Sequence, residues 1–129
     1  MFWIYNLALL PFYAPFFLYT LRRRFVQKKS AASFRGQWGF VPRAARSTLH
    51  QNGAPVIWIH AVSVGEVVAA RPIARALKAE IPNCKIALSC TTDTGFQTAQ
   101  VALKNQEADA TFFFPLDLPF PIWRALNAI

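Results

Sequence analysis

The chain has 129 residues, 54% of them hydrophobic, and a formal net charge of +8. That length holds one domain with a moderate core, not two. The excess charge is confined to Arg22, Arg23, Arg24, Lys28, Lys29, Arg35, Arg43 and Arg46, whereas the six basic and six acidic groups of residues 51–129 cancel. A nucleic-acid binder is expected to carry basic charge on its folded module, which this distribution denies it.

Residues 1–21 contain no charged side chain and eight aromatics. As a helix they would run about 31 Å, close to the hydrocarbon thickness of a bilayer. Pro11 and Pro15 each remove a helix hydrogen bond and favour a kink, and Trp3, Tyr5, Tyr13 and Tyr19 suit the interfacial belt. The stretch reads as a membrane anchor, either a kinked span or a segment lying in one leaflet. A cleavable signal peptide fits less well, because no basic region precedes the apolar run and no small-residue cleavage site follows it. Arg22-Arg23-Arg24 and Lys28-Lys29 follow directly, so the positive-inside rule places the globular part in the cytoplasm. The same cations suit an anionic membrane surface. Residues 22–54 read as a basic juxtamembrane linker, small and polar after Lys29, with Gly36, Gly39, Pro42 and Gly53.

From Pro55 onward, over 55–129, strands and helices alternate in units of roughly 25–30 residues. Val56–Val62 is an apolar, β-branched and aromatic run that reads as a buried strand. The Ser63-Val64-Gly65-Glu66 turn leads into a helix on which Val67, Ala70, Ala74, Leu77 and Ile81 recur at three- and four-residue spacing, with a kink expected at Pro72. Lys85–Cys90 is the second strand. Asp93 or Thr94 suits the cap of a second helix carrying Phe96, Ala99, Val101, Ala102 and Leu103. Ala110–Phe114 is the third strand, ended by Pro115, and Pro119–Ile129 starts a third helix. The implied fold class is α/β, a Rossmann-like parallel sheet with right-handed crossovers, preceded by an N-terminal anchor helix.

Glu66 is the residue with chemistry to offer. Open α/β folds bind ligands at the carboxyl ends of their strands, and Glu66 sits on the first such turn. Two readings fit its spacing. Ser63-Val64-Gly65-Glu66 matches a capping box, with Glu66 reaching back to the Ser63 backbone N–H. It also suits a general base placed to take a proton from a substrate hydroxyl. His60, a lone histidine at the strand end, reads first as a hydrogen-bonded structural residue. Thr91, Thr92 and Thr94 suit turn and cap hydroxyls, and Asp117 suits either a cap or a cleft wall. One glycine in the first turn excludes the dinucleotide fingerprint, and no phosphate loop appears. Cys84 and Cys90 are about 20 Å apart on an extended strand, too far to bridge, and form no metal motif.

The run His60-Ala61-Val62-Ser63-Val64-Gly65-Glu66-Val67, followed by Ala69-Ala70-Arg71-Pro72, resembles the signature of the bacterial Kdo transferases. Three further pieces occur in the family's order. Ser33 to Phe40 resembles its Arg- and Gly-containing linker, Cys90-Thr91-Thr92-Asp93-Thr94-Gly95 its threonine-rich loop, and Phe114-Pro115-Leu116-Asp117-Leu118-Pro119 its P-x-D-L-P segment. Asp93 stands where the family often has proline. The resemblance covers essentially all of the chain but only the N-terminal half of the family's enzymes, which continue with a second acidic motif and a nucleotide-sugar domain.

The resemblance implies a membrane-anchored, two-domain GT-B glycosyltransferase of the bacterial inner membrane. It would transfer 3-deoxy-D-manno-octulosonic acid (Kdo) from CMP-Kdo to a lipid A precursor, with inversion and without a metal ion or other cofactor. This chain would be the acceptor-binding half, inactive alone. It implies Glu66 as general base, and Arg35, Gly36, Ser63, Val64, Gly65, Thr91, Thr92, Thr94, Gly95 and Asp117 around the acceptor. Two alternatives stand beside this reading: a non-enzymatic membrane-anchored adaptor, and a related glycosyltransferase acting on another lipid-linked acceptor.

Overall fold

The computed structural model describes residues 31–129 together with Pro15 and Leu18. Those two residues apart, the expected anchor over residues 1–21 lies outside the described residues, as does the basic cluster from Arg22 to Lys29. Among the described residues no helix is long and apolar enough to cross a membrane. The chain divides into two compact units, Met1–Phe34 and Arg35–Ile129. The sheet and its covering helices belong to the second.

Three strands, β1 (Val56–Ala61), β2 (Lys85–Cys90) and β3 (Ala110–Phe113), form one parallel sheet in the order β1-β2-β3. Helix α3 (Val64–Glu80) connects the first two and α4 (Asp93–Lys104) the second and third. Ile57, Ile59, Ile86, Leu88 and Cys90 point to one face, where Val67, Ala70 and Ala74 of α3 and Ala99 and Ala102 of α4 pack against them. Small residues on both helices let the backbones come close to the sheet. Val56, Trp58, Ala87, Ala110 and Phe112 point to the other face. They are covered by α2 (Arg43–Leu49), through Leu49, by α5 (Pro119–Leu126), through Ala125, and by Ala128 just after it. β2 is buried along nearly its whole length because both faces are covered, which is why it reads as a continuous apolar run.

Several expected boundaries shift. β1 ends at Ala61 and β3 at Phe113, one residue earlier than read from the sequence. α5 stops at Leu126. α3 runs unbroken through Pro72. Pro72 is solvent-exposed, as is Val68 four residues earlier, so water can satisfy the carbonyl that a proline N–H cannot reach. The largest difference lies in the expected linker. Residues Ala31–Gln37 form helix α1 and Arg43–Leu49 form α2, with Leu49 wholly buried. α1 ends in a Schellman motif: Phe40 N–H bonds the Arg35 carbonyl at 3.2 Å and Gly39 N–H the Gly36 carbonyl at 2.8 Å. Gly39 takes φ +78°, and a Cβ there would stand 2.2 Å from the Pro121 carbonyl oxygen. Only glycine meets both demands.

The amino ends of the strands are braced by charge. Glu107 is buried and receives Arg71 Nε at 2.5 Å and Arg75 Nη1 at 2.6 Å, tying α3 to the segment before β3. Asp109 accepts the Ile86 N–H at 2.8 Å and pairs with Lys78 at 2.9 Å. This brace lies at the opposite end of the strands from Glu66.

Candidate active site

The carboxyl ends of β1 and β2 are joined by hydrogen bonds that the sequence does not announce. Ser63 is the N-cap of α3 in extended conformation, and its carbonyl accepts the Val67 N–H at 3.0 Å. Its hydroxyl makes no bond to the helix backbone; it donates to Glu66 Oε1 at 3.2 Å. Glu66 Oε2 in turn accepts the N–H of Val62 at 2.9 Å. The expected capping box is therefore displaced by one residue. The carboxylate reaches past the cap to Val62, and the serine serves the carboxylate instead of the helix. Glu66 stays exposed. A carboxylate has about four lone-pair sites, so these two bonds orient it and leave it able to accept a proton.

The second turn is built around Thr92. The cap of α4 is Thr92, not Asp93 or Thr94: its Oγ1 accepts the Gly95 N–H at 3.0 Å and donates to the Val62 carbonyl at 3.4 Å. Val62 thus gives its N–H to Glu66 and its carbonyl to Thr92, and the two turns share one peptide neighbourhood. Gly95 is buried where they meet. A Cβ there would stand 2.8 Å from Thr92 Oγ1 and 3.6 Å from the Ser63 carbonyl carbon. Gly65, by contrast, opens to empty space. Val64, Thr91 and Thr94 are exposed on the same rim.

The third strand end is a separate wall. Leu116 N–H bonds the Gln37 carbonyl at 2.8 Å, which sets the end of α1 beside the loop after β3. Gly36 is buried against β3, where an added Cβ would lie 2.4 Å from Phe113 Cβ. Arg35 is exposed, its guanidinium 5.3 Å from the Phe40 ring centroid. Arg124 covers the same ring at 3.5 Å. Asp117 is exposed and does not cap α5, whose N-cap is Leu118 with proline at the first helical position. The structure thus gathers Ser63, Val64, Gly65, Glu66, Thr91, Thr92, Thr94 and Gly95 into one rim, and sets Arg35, Gly36 and Asp117 along the β3 side. Among the described residues no group of His, Cys, Asp and Glu could hold a metal ion.

A model of the 3-deoxy-D-manno-octulosonic-acid transferase (kdotransferase) family matches residues 32–129. The chain belongs to this family. Named 3-deoxy-D-manno-octulosonic acid transferases are similar to it. The one from Haemophilus influenzae is 40% identical over 75 residues, 57% of this chain and 17% of that protein. The one from Chlamydophila psittaci is 30% identical over 109 residues, 84% of this chain and 24% of that protein. The chain therefore spans about a fifth of the length of these kdotransferase relatives. No solved structure matches it.

Within this kdotransferase segment the fold assembles four residues, of which the sequence reads His60 only as structural and gives Trp58, Ser89 and Phe114 no individual role. Trp58 Nε1–H donates to Ser89 Oγ at 2.7 Å, and the same oxygen lies 3.1 Å from His60 Nδ1. The His60 ring stacks on Phe114 with centroids 3.7 Å apart. Burial is the main influence on the ring and lowers its pKa, against the opposing pull of the Ser89 backbone hydrogen bond and the Glu66 charge. Alternation along β1 puts Trp58 and His60 on one face, but the partner Ser89 follows only from the parallel register His60↔Ser89. Cys90, also at the rim, is wholly buried, and burial pushes its thiol up to about 11. It stays a thiol at neutral pH and offers no nucleophile.

Proposed function

We propose that this segment is the acceptor-binding part of an inverting, membrane-anchored Kdo transferase, and that Glu66 is its general base. The observation that carries the reading is the Glu66 carboxylate, exposed at the carboxyl end of β1 and oriented by Val62 N–H and Ser63 Oγ. An alcohol hydroxyl attacks a sugar centre only as its proton leaves. A carboxylate held in place supplies that acceptor without a metal ion. The acceptor would be a lipid A precursor, with Thr91, Thr92, Thr94, Ser63, Val64, Gly65 and Gly95 shaping the rim beneath its sugar. Arg35, with Gly36 beside it, and Asp117 would line the β3 side. Arg35 suits a lipid phosphate, because a guanidinium donates two parallel hydrogen bonds.

On this reading the donor, CMP-Kdo, binds outside residues 31–129, and the 129 residues alone do not transfer Kdo. Residues 1–21 anchor the protein in the bacterial inner membrane, with the basic cluster holding the folded part on the cytoplasmic side at an anionic surface. The test is Glu66→Gln in the complete polypeptide that carries this segment. Glutamine keeps an oxygen for Val62 N–H, so a folded variant with near-normal Kdo transfer would remove Glu66 from the role of base.

A further inference from the structure

His60 is held as a functional side chain is held. Two strands and a loop contribute: Trp58 from the same strand, Ser89 from β2 and Phe114 just beyond β3. Ser89 Oγ accepts the indole N–H of Trp58, a donor only, at 2.7 Å. His60 Nδ1 lies 3.1 Å from the same hydroxyl oxygen. Nδ1 also lies 3.3 Å from the Ser89 carbonyl oxygen, which can only accept, so Nδ1 carries the ring hydrogen and Nε2 is left as an acceptor. Stacking on Phe114 fixes the plane of the ring. Nε2 has no partner among the described residues, and the residue is exposed at the carboxyl end of β1. A buried structural histidine would have both nitrogens satisfied. Here one edge is fixed and the other is presented to solvent, six residues before Glu66.

We propose that His60 is a second acceptor-binding residue, accepting at Nε2 a hydrogen bond from a sugar hydroxyl near the one that Glu66 deprotonates. A neutral ring held at Nδ1 suits this place. Its Nε2 lone pair orients one hydroxyl of the sugar while Glu66 takes the proton of another. Ser89 acts behind it as a positioning residue. The inference rests on the proposed acceptor site but not on Glu66 being the base.

The experiment uses the complete polypeptide, a lipid A precursor in detergent micelles as probe, and both its dissociation constant and the kinetics of transfer. His60→Phe keeps the stacking on Phe114 and removes the nitrogen. It is expected to weaken acceptor binding and raise the acceptor KM about tenfold, the loss of one neutral hydrogen bond, with the donor KM and melting temperature unchanged. His60→Gln, which can place an amide oxygen near the same point, should recover most of the affinity. Ser89→Ala should weaken acceptor binding by a smaller factor, since only the ring's orientation is loosened. Unchanged acceptor affinity in a folded His60→Phe variant would overturn the proposal. Glu66→Gln measured alongside separates the two readings: it should bind acceptor normally and fail to turn over. If it turns over while His60→Phe loses affinity, the base assignment falls and His60 stands.

Discussion

Glu66 hydrogen-bonds the N–H of Val62, four residues before it, with Oε2 2.9 Å from the nitrogen. That bond makes the carboxylate part of the strand end as well as of the helix start. On the proposed function, structural and catalytic roles coexist in one side chain, and the two can be separated by substitution. Glu66→Gln retains an acceptor for Val62 and should melt within about 1 kcal/mol of the parent, while Kdo transfer by the complete enzyme falls about 10²- to 10⁴-fold. Glu66→Ala should lose both, and its added loss of stability measures the bond to Val62.

Thr92 makes the second prediction. Its hydroxyl is a helix cap toward Gly95 and a tie toward Val62. Thr92→Ala should cost about 1 kcal/mol as a lost cap, and it should also loosen the Glu66 turn, because Val62 loses its carbonyl partner. Thr92→Ser should restore both. Denaturant melts report the first effect and transfer rates the second. A Thr92→Ala protein with normal transfer would show that the two turns are independent.

The sheet was legible where local pattern and tertiary role agree. Lys85–Cys90 is apolar end to end because it is covered on both faces, and it was read to the residue. The sequence puts the α4 cap one or two residues late because Asp93 and Thr94 are as plausible there as Thr92. Only the Gly95 N–H identifies the cap. α1 and α2 look like linker in sequence because each spans seven residues, too short to show a helical period against Gly36, Gly39 and Pro42. Their order comes from packing, as the wholly buried Leu49 shows. The Trp58–Ser89–His60 chain was not readable at all, since the register between parallel strands is set by the crossover and not by either strand.

Gly36 tests whether a glycine in the family's motif acts by packing. A Cβ at that position would lie 2.4 Å from Phe113 Cβ and 3.3 Å from its Cα, so a backbone must move. Gly36→Ala should destabilise by about 1–3 kcal/mol, the range for overpacking a fitted contact, with β3 and the loop to Asp117 shifting. Neighbouring Arg35 is exposed and should behave in the opposite way: Arg35→Ala should leave the melting temperature nearly unchanged and weaken binding of a phosphorylated acceptor. A stable Gly36→Ala variant would mean that α1 does not rest on β3.

Glu107 gives a prediction in pH. The hydrogen bond from Arg71 holds its carboxyl below the usual carboxylate range, with Arg75 adding to the effect and burial opposing it. Because the folded value is lowered, the brace is fully present above the unfolded glutamate pKa, about 4.3. It is lost as pH falls through the lower folded value. Stability should therefore drop on acidification below about pH 4, and Glu107→Gln should flatten that part of the profile. At pH 7 the same variant should melt about 5 °C lower, since Arg71 and Arg75 would face each other without the carboxylate between them. Kdo transfer at a temperature well below the melt should be unchanged, because the brace lies at the amino ends of the strands and Glu66 at the carboxyl ends. Loss of transfer without loss of stability would place Glu107 in the catalytic machinery and overturn that division of the sheet.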